Sequence, residues 1–298
     1  MPRKLKTATV WGRVVLIATT TLVTLSCTAA RESDPPQDSD HETSNFDDMF
    51  ENVSKLTAEE TAAYGNRAHA FSQVASRFRP DLDFRDVLGP ELADEEPQWS
   101  QGYEELIIRD FFGDRKEGVF VDVGCYLPRE LSTTYYLEDH LQWTGLGIDA
   151  QRKFAPAWKK DRPKSTFIAT AIADTDGQTL TLFIAGTTAS LEKWAMEIFT
   201  KDLEEVEVKT ITLNTLLDMH VIEKVDFLSI DIDGAELGAL KGFDIQRYKP
   251  DLCGIEAAKP ELVKEYFEAN GYELIEKYLK VDKINLYFRP KPIVRAND

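Results

Sequence analysis

The sequence predicts an α/β fold, a mostly parallel sheet with helical crossovers that ends in an antiparallel pair of strands. Three observations carry this. Phe120–Tyr126, Gly145–Ala150 and Phe227–Leu237 each begin as a short apolar run and reach a carboxylate with glycine at or near the break. Buried parallel strands read this way when their carboxyl ends carry a ligand site. Helical patterns alternate with these runs, as crossovers between parallel strands require. At the end of the chain, two extended runs near 272–280 and 284–288 are joined only by Val281, Asp282 and Lys283. That is too short for a crossover, so the two must pair antiparallel.

The chain opens with a leader. Arg3, Lys4, Lys6 and Arg13 precede the apolar stretch Val14–Ser26, and Cys27 follows with small residues. A basic start, a short apolar middle and small residues form a secretory signal pattern. Ser26-Cys27 also resembles a bacterial lipoprotein processing site, with Thr24 where leucine is usual. Residues 1–27 thus read as a signal peptide, a lipoprotein leader or a membrane anchor. The last is marginal, because a spanning helix needs about 20 apolar residues. In each case the basic flank keeps the N-terminus in the cytoplasm and sends the rest across the membrane. Residues 28–55 are polar and acidic, with Pro35 and Pro36, and read as a disordered tether. Residues 56–98 read as a helical extension. Thr57 and Glu60 form a capping box that opens a helix to about Phe78, and Pro80 and Pro90 punctuate the loop after it.

The main domain is expected over 99–292. Leu106, Ile107, Phe111 and Phe112 are spaced as on a helix from Tyr103 to Phe112. A strand at 119–123, a helix over about 131–140, a strand at 145–149 and a helix over about 153–160 follow. An extended run at 166–171 leads to a turn at Asp174–Gly177. Strands at 178–184 and 206–213 flank a helical insert. The most apolar strand, 225–232, precedes a short helix at 235–241, and a strand at 252–256 and a helix at 260–269 lead into the terminal pair.

With 298 residues the chain suffices for one large domain or two small ones. A net charge of −17 argues against nucleic acid, which needs a basic stripe that this sequence lacks. His41, His69, His140 and His220 show no metal-ligand spacing. Cys125 and Cys253 lie on or beside buried strands, where cysteine behaves as a small hydrophobe, and with Cys27 in the leader they form no disulfide framework.

The carboxylates at the strand ends carry the chemistry. Asp122 and Gly124 sit where the first strand runs into a turn, and glycine there lets backbone approach a ligand. A pyrophosphate-binding turn wants G-x-G-x-x-G. One glycine with acidic neighbours favours a cationic or zwitterionic ligand instead. Asp149 ends the second strand, where an acidic residue accepts both hydroxyls of a ribose. Asp122 also suits a turn cap and Asp149 a helix N-cap. Asp231 and Asp233, two apart on a strand, share a face. They suit removal of a hydroxyl proton, a divalent cation, or, for Asp233, a cap on the next helix. Glu256 ends the following strand and is a further candidate for the same rim, whereas Glu236 is expected on a helix surface.

Ser100–Glu105, Gly118–Gly124, Leu131–Glu138, Gln142–Asp149 and Val225–Gly242 together resemble the FkbM-type methyltransferase family. A parallel sheet finishing in an antiparallel hairpin is also what class I methyltransferases have. The resemblance implies a Rossmann-like S-adenosylmethionine-dependent methyltransferase, usually acting on hydroxyl oxygen. By position it implies cofactor contacts from Asp122, Gly124, Cys125, Asp149 and Ala150, and catalytic roles for Asp231 and Asp233. It implies no metal set, and a divalent ion stays open. The chain departs from the family pattern at Cys125–Pro128, where many members have another glycine, and at Asp233, where Glu is commoner.

The expected acceptor is a small molecule, a sugar or a lipid-linked compound, with membrane contact through the N-terminal segment alone. An exported domain sits apart from the cytosol where S-adenosylmethionine is made. A non-catalytic, membrane-tethered binding protein that keeps the fold is therefore the alternative. A nicotinamide enzyme is disfavoured by the single glycine of the first turn.

Overall fold

The computed structural model describes residues 84–292 apart from Glu96, Ile198 and Lys283. The leader, the acidic tether and the helix expected from Thr57 lie outside the described residues. No helix among the described residues is long and apolar enough to cross a membrane.

After a 3-10 turn at Phe84–Asp86 come α1 (Glu104–Phe112), β1 (Val119–Val123), α2 (Tyr135–Asp139), β2 (Thr144–Asp149), α3 (Ala155–Asp161) and β3 (Thr166–Ala169). Next are β4 (Ala171–Ile172), β5 (Thr179–Ala185), β6 (Thr188–Ser190), α4 (Lys193–Glu197) and β7 (Glu204–Ile211). The chain continues through α5 (Leu213–Met219), β8 (Phe227–Ile230), α6 (Glu236–Lys241), α7 (Ile245–Tyr248) and β9 (Leu252–Glu256). It closes with α8 (Pro260–Ala269), β10 (Tyr272–Leu274) and β11 (Asn285–Pro290).

The main sheet has seven strands in the order β10-β11-β9-β8-β1-β2-β3. The run from β9 to β3 is parallel, and β11 is antiparallel to both β9 and β10. The α/β expectation therefore holds, with the antiparallel strand set one place in from the edge. Alternation along each strand feeds two cores, one per face. Val121, Val123, Leu228 and Ile230 pack with Leu213, Leu217, Val263 and Phe267 on one side. Phe120, Phe227 and Tyr287 pack with Leu106, Ile107 and Trp143 on the other. Val87, Leu88 and Leu92 join the second core, so the stretch before α1 is packed onto the domain.

Several elements differ from expectation for identifiable reasons. The strand expected over 272–280 stops at Leu274. Tyr278 turns into the core and its hydroxyl donates to Asp110 Oδ2 at 2.6 Å, which bends Glu276–Lys280 into a 3-10 turn. The run expected at 166–171 splits at Thr170, after which β4 leaves β3 to pair with β7 in a second sheet, β4-β7-β5-β6. Helix α5 begins where a strand was expected to end. Thr212 caps it, its hydroxyl oxygen accepting from Thr215 N at 3.1 Å. The helix expected from Leu131 starts only at Tyr135, because the segment before it wraps a buried cation.

That cation is Arg162, whose side chain is 0% exposed. Its Nε donates to Glu138 Oε2 at 2.6 Å, one Nη donates to the Pro128 carbonyl at 3.1 Å and the other to the Thr134 carbonyl at 3.2 Å. Arg162→Met is expected to lower the unfolding free energy by about 3–5 kcal/mol, because Glu138 is left buried without its cation. Adding Glu138→Gln should restore part of the loss, and urea unfolding of the wild type and both variants measures it.

Candidate active site

The carboxyl ends of β8, β1 and β2 lie side by side, and backbone contacts set their spacing. Gly124 N donates to the Ile148 carbonyl at 2.8 Å, and Asp231 N donates to the Val123 carbonyl at 2.9 Å. Gly124 has φ 86°, and a Cβ on it would fall 1.7 Å from the Asp231 carbonyl oxygen. Only glycine fits there. The chain then turns at Tyr126, whose φ of 51° is strained for a bulky residue. Two bonds hold that turn: Tyr126 N donates to Asp149 Oδ2 at 3.2 Å, and the Tyr126 carbonyl accepts from Trp158 Nε1 at 2.8 Å. The Trp158 ring lies over Gly147 of β2, where a Cβ would come within 2.4 Å of it.

Beyond these ends opens a solvent-accessible cleft. Gly124, Tyr126, Asp149, Ala150, Asp231 and Asp233 are among the residues that line it. The opposite wall comes from the second sheet, through Leu182 and Thr187–Leu191. Asp149 Oδ1 also accepts from Gln151 N at 2.7 Å, which fixes its carboxylate from two sides.

At the β8 end the carboxylates crowd. β8 stops at Ile230, and Asp233 takes φ 52°, a region Asp tolerates better than most residues. Asp231 and Asp233 therefore meet through the turn after the strand, not through a shared strand face. Carboxylate oxygens of Asp231, Asp233 and Glu256 all lie within 4.8 Å of one another, a set able to hold a divalent cation. Glu256 is pushed well above the usual carboxylate range, first by burial and then by the charges of Asp231 and Asp233. Burial, with Asp282 next, pushes Glu104 up to about 7.

The structure brings together Gly124, Asp149, Ala150, Asp231, Asp233 and Glu256 around one rim. Asp122 and Cys125 are not among the cleft-lining residues. Asp122 points to the opposite face from Val121 and Val123, and its Oδ2 accepts from Thr134 Oγ1 at 2.9 Å. The Cys125 side chain is buried with Tyr126, Leu131, Phe154 and Trp158. Leu127 and Pro128 do not line the cleft either, and the residue of that loop that does is Tyr126. Glu236, expected on a helix surface, is 2% exposed, because its Oε1 folds back to accept from Gly234 N at 2.7 Å. Tyr126, Gln151 and Thr187–Leu191 were not foreseen as lining, since nothing in their own sequence context marks them.

A family model describing the methyltransferase FkbM domain matches residues 122–280, just over half of the chain. The chain belongs to the FkbM methyltransferase family. The FkbM match begins at Asp122 and takes in every strand end that borders the cleft. Comparison with curated proteins returned no match. Among solved structures, the chain is similar to the 1,6-didemethyltoxoflavin-N1-methyltransferase of Burkholderia thailandensis, crystallised with 1,6-didemethyltoxoflavin and S-adenosylhomocysteine. The identity is 13%, over 87% of this chain and 94% of that one, with a TM-score of 0.32. So weak a superposition has no bearing on ligand or acceptor.

Two outcomes follow from this geometry. Gly124→Ala should unfold at markedly lower temperature than the wild type, with a loss of about 3 kcal/mol or more, because both φ and the Asp231 carbonyl oppose a methyl group. Glu236 is pushed up to about 7 from an ordinary 4.5, chiefly by burial and further by Asp231. The folded state thus keeps a proton that the unfolded chain releases near 4.5. Its contribution to stability is present below that pH and is lost as pH rises toward 7. Glu236→Gln keeps the acceptor for Gly234 and removes the titration. It should raise the melting temperature at pH 8, by a free energy on the order of 3 kcal/mol at most, and leave it unchanged at pH 4.5.

Proposed function

We propose that the chain is an S-adenosylmethionine-dependent methyltransferase that transfers the methyl group to a hydroxyl oxygen of a small-molecule, sugar or lipid-linked acceptor. One observation carries the reading. Within a matched methyltransferase domain, a bare backbone turn at Gly124 and a doubly anchored Asp149 border the same cleft as Asp231 and Asp233. The cleft fits the cofactor, because Gly124 offers backbone with no side chain and Asp149 offers acceptors for ribose hydroxyls.

When bound, the cofactor supplies an electrophilic methyl group on a sulfonium. The residues do the rest. Asp149 and Ala150 seat the ribose, and Gly124 and the Cys125 backbone pass beside the amino-acid end. Asp122 acts from behind, through Thr134, holding the end of β1. Asp231 would orient the acceptor hydroxyl toward that methyl group and take up its proton. Asp233 and Glu256 flank that proton and keep the acceptor end of the cleft acidic. With residues 1–27 as a lipoprotein leader or anchor and 28–55 as a tether, the domain would be held at the membrane, on the far side from the cytoplasm. Protease accessibility in intact cells tests that topology.

Calorimetry of the full chain against S-adenosylmethionine and against NAD separates the readings. Micromolar binding of the first alone is expected. No binding at millimolar concentration would sink the cofactor assignment and favour a non-catalytic binding protein. Asp149→Ala should weaken cofactor binding about 10–100-fold, the worth of one or two charge-assisted hydrogen bonds. Asp231→Asn should leave cofactor affinity within about twofold and depress turnover by about 10²–10⁴, the usual worth of a positioned base.

A further inference from the structure

We propose that Gln151 reads the base of the bound nucleoside, its carboxamide oxygen accepting a hydrogen bond from the exocyclic amine of an adenine-type ring. The inference rests on the cofactor reading above and gives it a residue that selects the base.

Gln151 is 7% exposed and lines the cleft two residues beyond Asp149. It is pinned at both ends. Its backbone N–H donates to Asp149 Oδ1 at 2.7 Å, and its side-chain Nε2 donates to the Thr187 carbonyl on the opposite wall at 2.8 Å. The second bond sets the orientation of the amide. Flipping it would press Oε1 against the Thr187 carbonyl, acceptor against acceptor. With Nε2 committed, Oε1 is buried and accepts no hydrogen bond from any described residue. Buried acceptors of this kind are rare in folded proteins and call for a donor from elsewhere.

The chemistry of the ligand selects which donor. A sulfonium nucleoside offers ribose hydroxyls, an ammonium and the amine of its base. The Asp149 carboxylate offers acceptors to the hydroxyls, and the amino-acid end with its ammonium runs past the Gly124 turn. A neutral amide oxygen suits the neutral amine, the pairing by which glutamine recognises adenine elsewhere. Ala150, Ile172 and Leu182 line the same cleft and offer small or apolar surface to the faces of a flat ring.

The test uses the full chain and two probes, S-adenosylhomocysteine and its deaminated analogue S-inosylhomocysteine, which carries a carbonyl in place of the amine. Calorimetry should show the wild type binding the amine-bearing probe at least about tenfold more tightly, because the analogue sets two acceptors face to face. Gln151→Leu, verified as folded by its thermal transition, should bind both probes within about twofold of each other. Equal affinities in the wild type would overturn the assignment. So would a preference that survives in Gln151→Leu, since the amine would then be read by another group. If neither probe binds the wild type, the cofactor reading itself fails and this inference falls with it.

Discussion

The site depends on one close approach of backbone to backbone. At Gly124 the chain leaves β1 so near the Asp231 carbonyl that no side chain can stand between them. The same glycine donates its N–H across to Ile148 of β2. Three strands that are far apart in sequence are thereby stitched at their carboxyl ends, and each ends in or beside an acidic residue. A one-residue slip in any of the three registers would move its carboxylate to the other face of the sheet. The ladders β8–β1 and β1–β2, continuous through Val123, oppose that slip. Packing on both faces does the same, because each strand is committed by alternate residues to two separate cores.

This arrangement concentrates negative charge at the β8 end. Glu104, Glu236 and Glu256 all have their protonation favoured by burial, and in each case Asp231 adds to it. Buried carboxylates with few cationic partners destabilise a fold as they ionise. Some carboxylates elsewhere have cations beside them, as with Glu138 and Arg162 or Asp226 with Arg115 and Lys224. A methyltransferase needs little more than a positioned acceptor and somewhere for one proton to go. In the proposed reaction that place is Asp231, beside Glu236 and Glu256, whose protonation burial favours.

The strand ends were legible in the sequence because an apolar run that breaks at a carboxylate is a local signal. The patterns of β1, β2 and β9 match their observed bounds closely, and the same breaks place Asp149 and Asp231 on a rim. Side-chain direction was less legible. Asp122 follows the alternation of β1 onto the face away from Val121 and Val123, and one position within a five-residue strand decides that. Glu236 looked like helix surface because its burial comes from Gly234, whose φ of 101° turns the chain and presents its N–H to the carboxylate. The opposite wall was invisible. Thr187–Leu191 reach the cleft only through β5–β6 pairing, a long-range consequence that no local pattern announces. Gln151 stands out only once the partner of its amide nitrogen is known.

The second sheet is fastened to the rim at two points, and their positions constrain what can vary. Near the cofactor half, the Thr187 carbonyl accepts from Gln151 Nε2. Near the carboxylate half, Ser190 Oγ donates to the Asp233 carbonyl at 2.8 Å and accepts from Glu192 N at 2.9 Å. Between these anchors lie Thr188 and Ala189, and Leu182 and Leu191 face the same cleft. A change of acceptor within this architecture therefore has little freedom on the main sheet, where Gly124, Gly147 and the ladders leave no room. It has more in the wall between the anchors, where side chains border the cleft without holding a strand end in place. In the proposed reaction the strand ends would set how the methyl group is presented, and Thr188 and Ala189, between the anchors, are where the acceptor side has room to change.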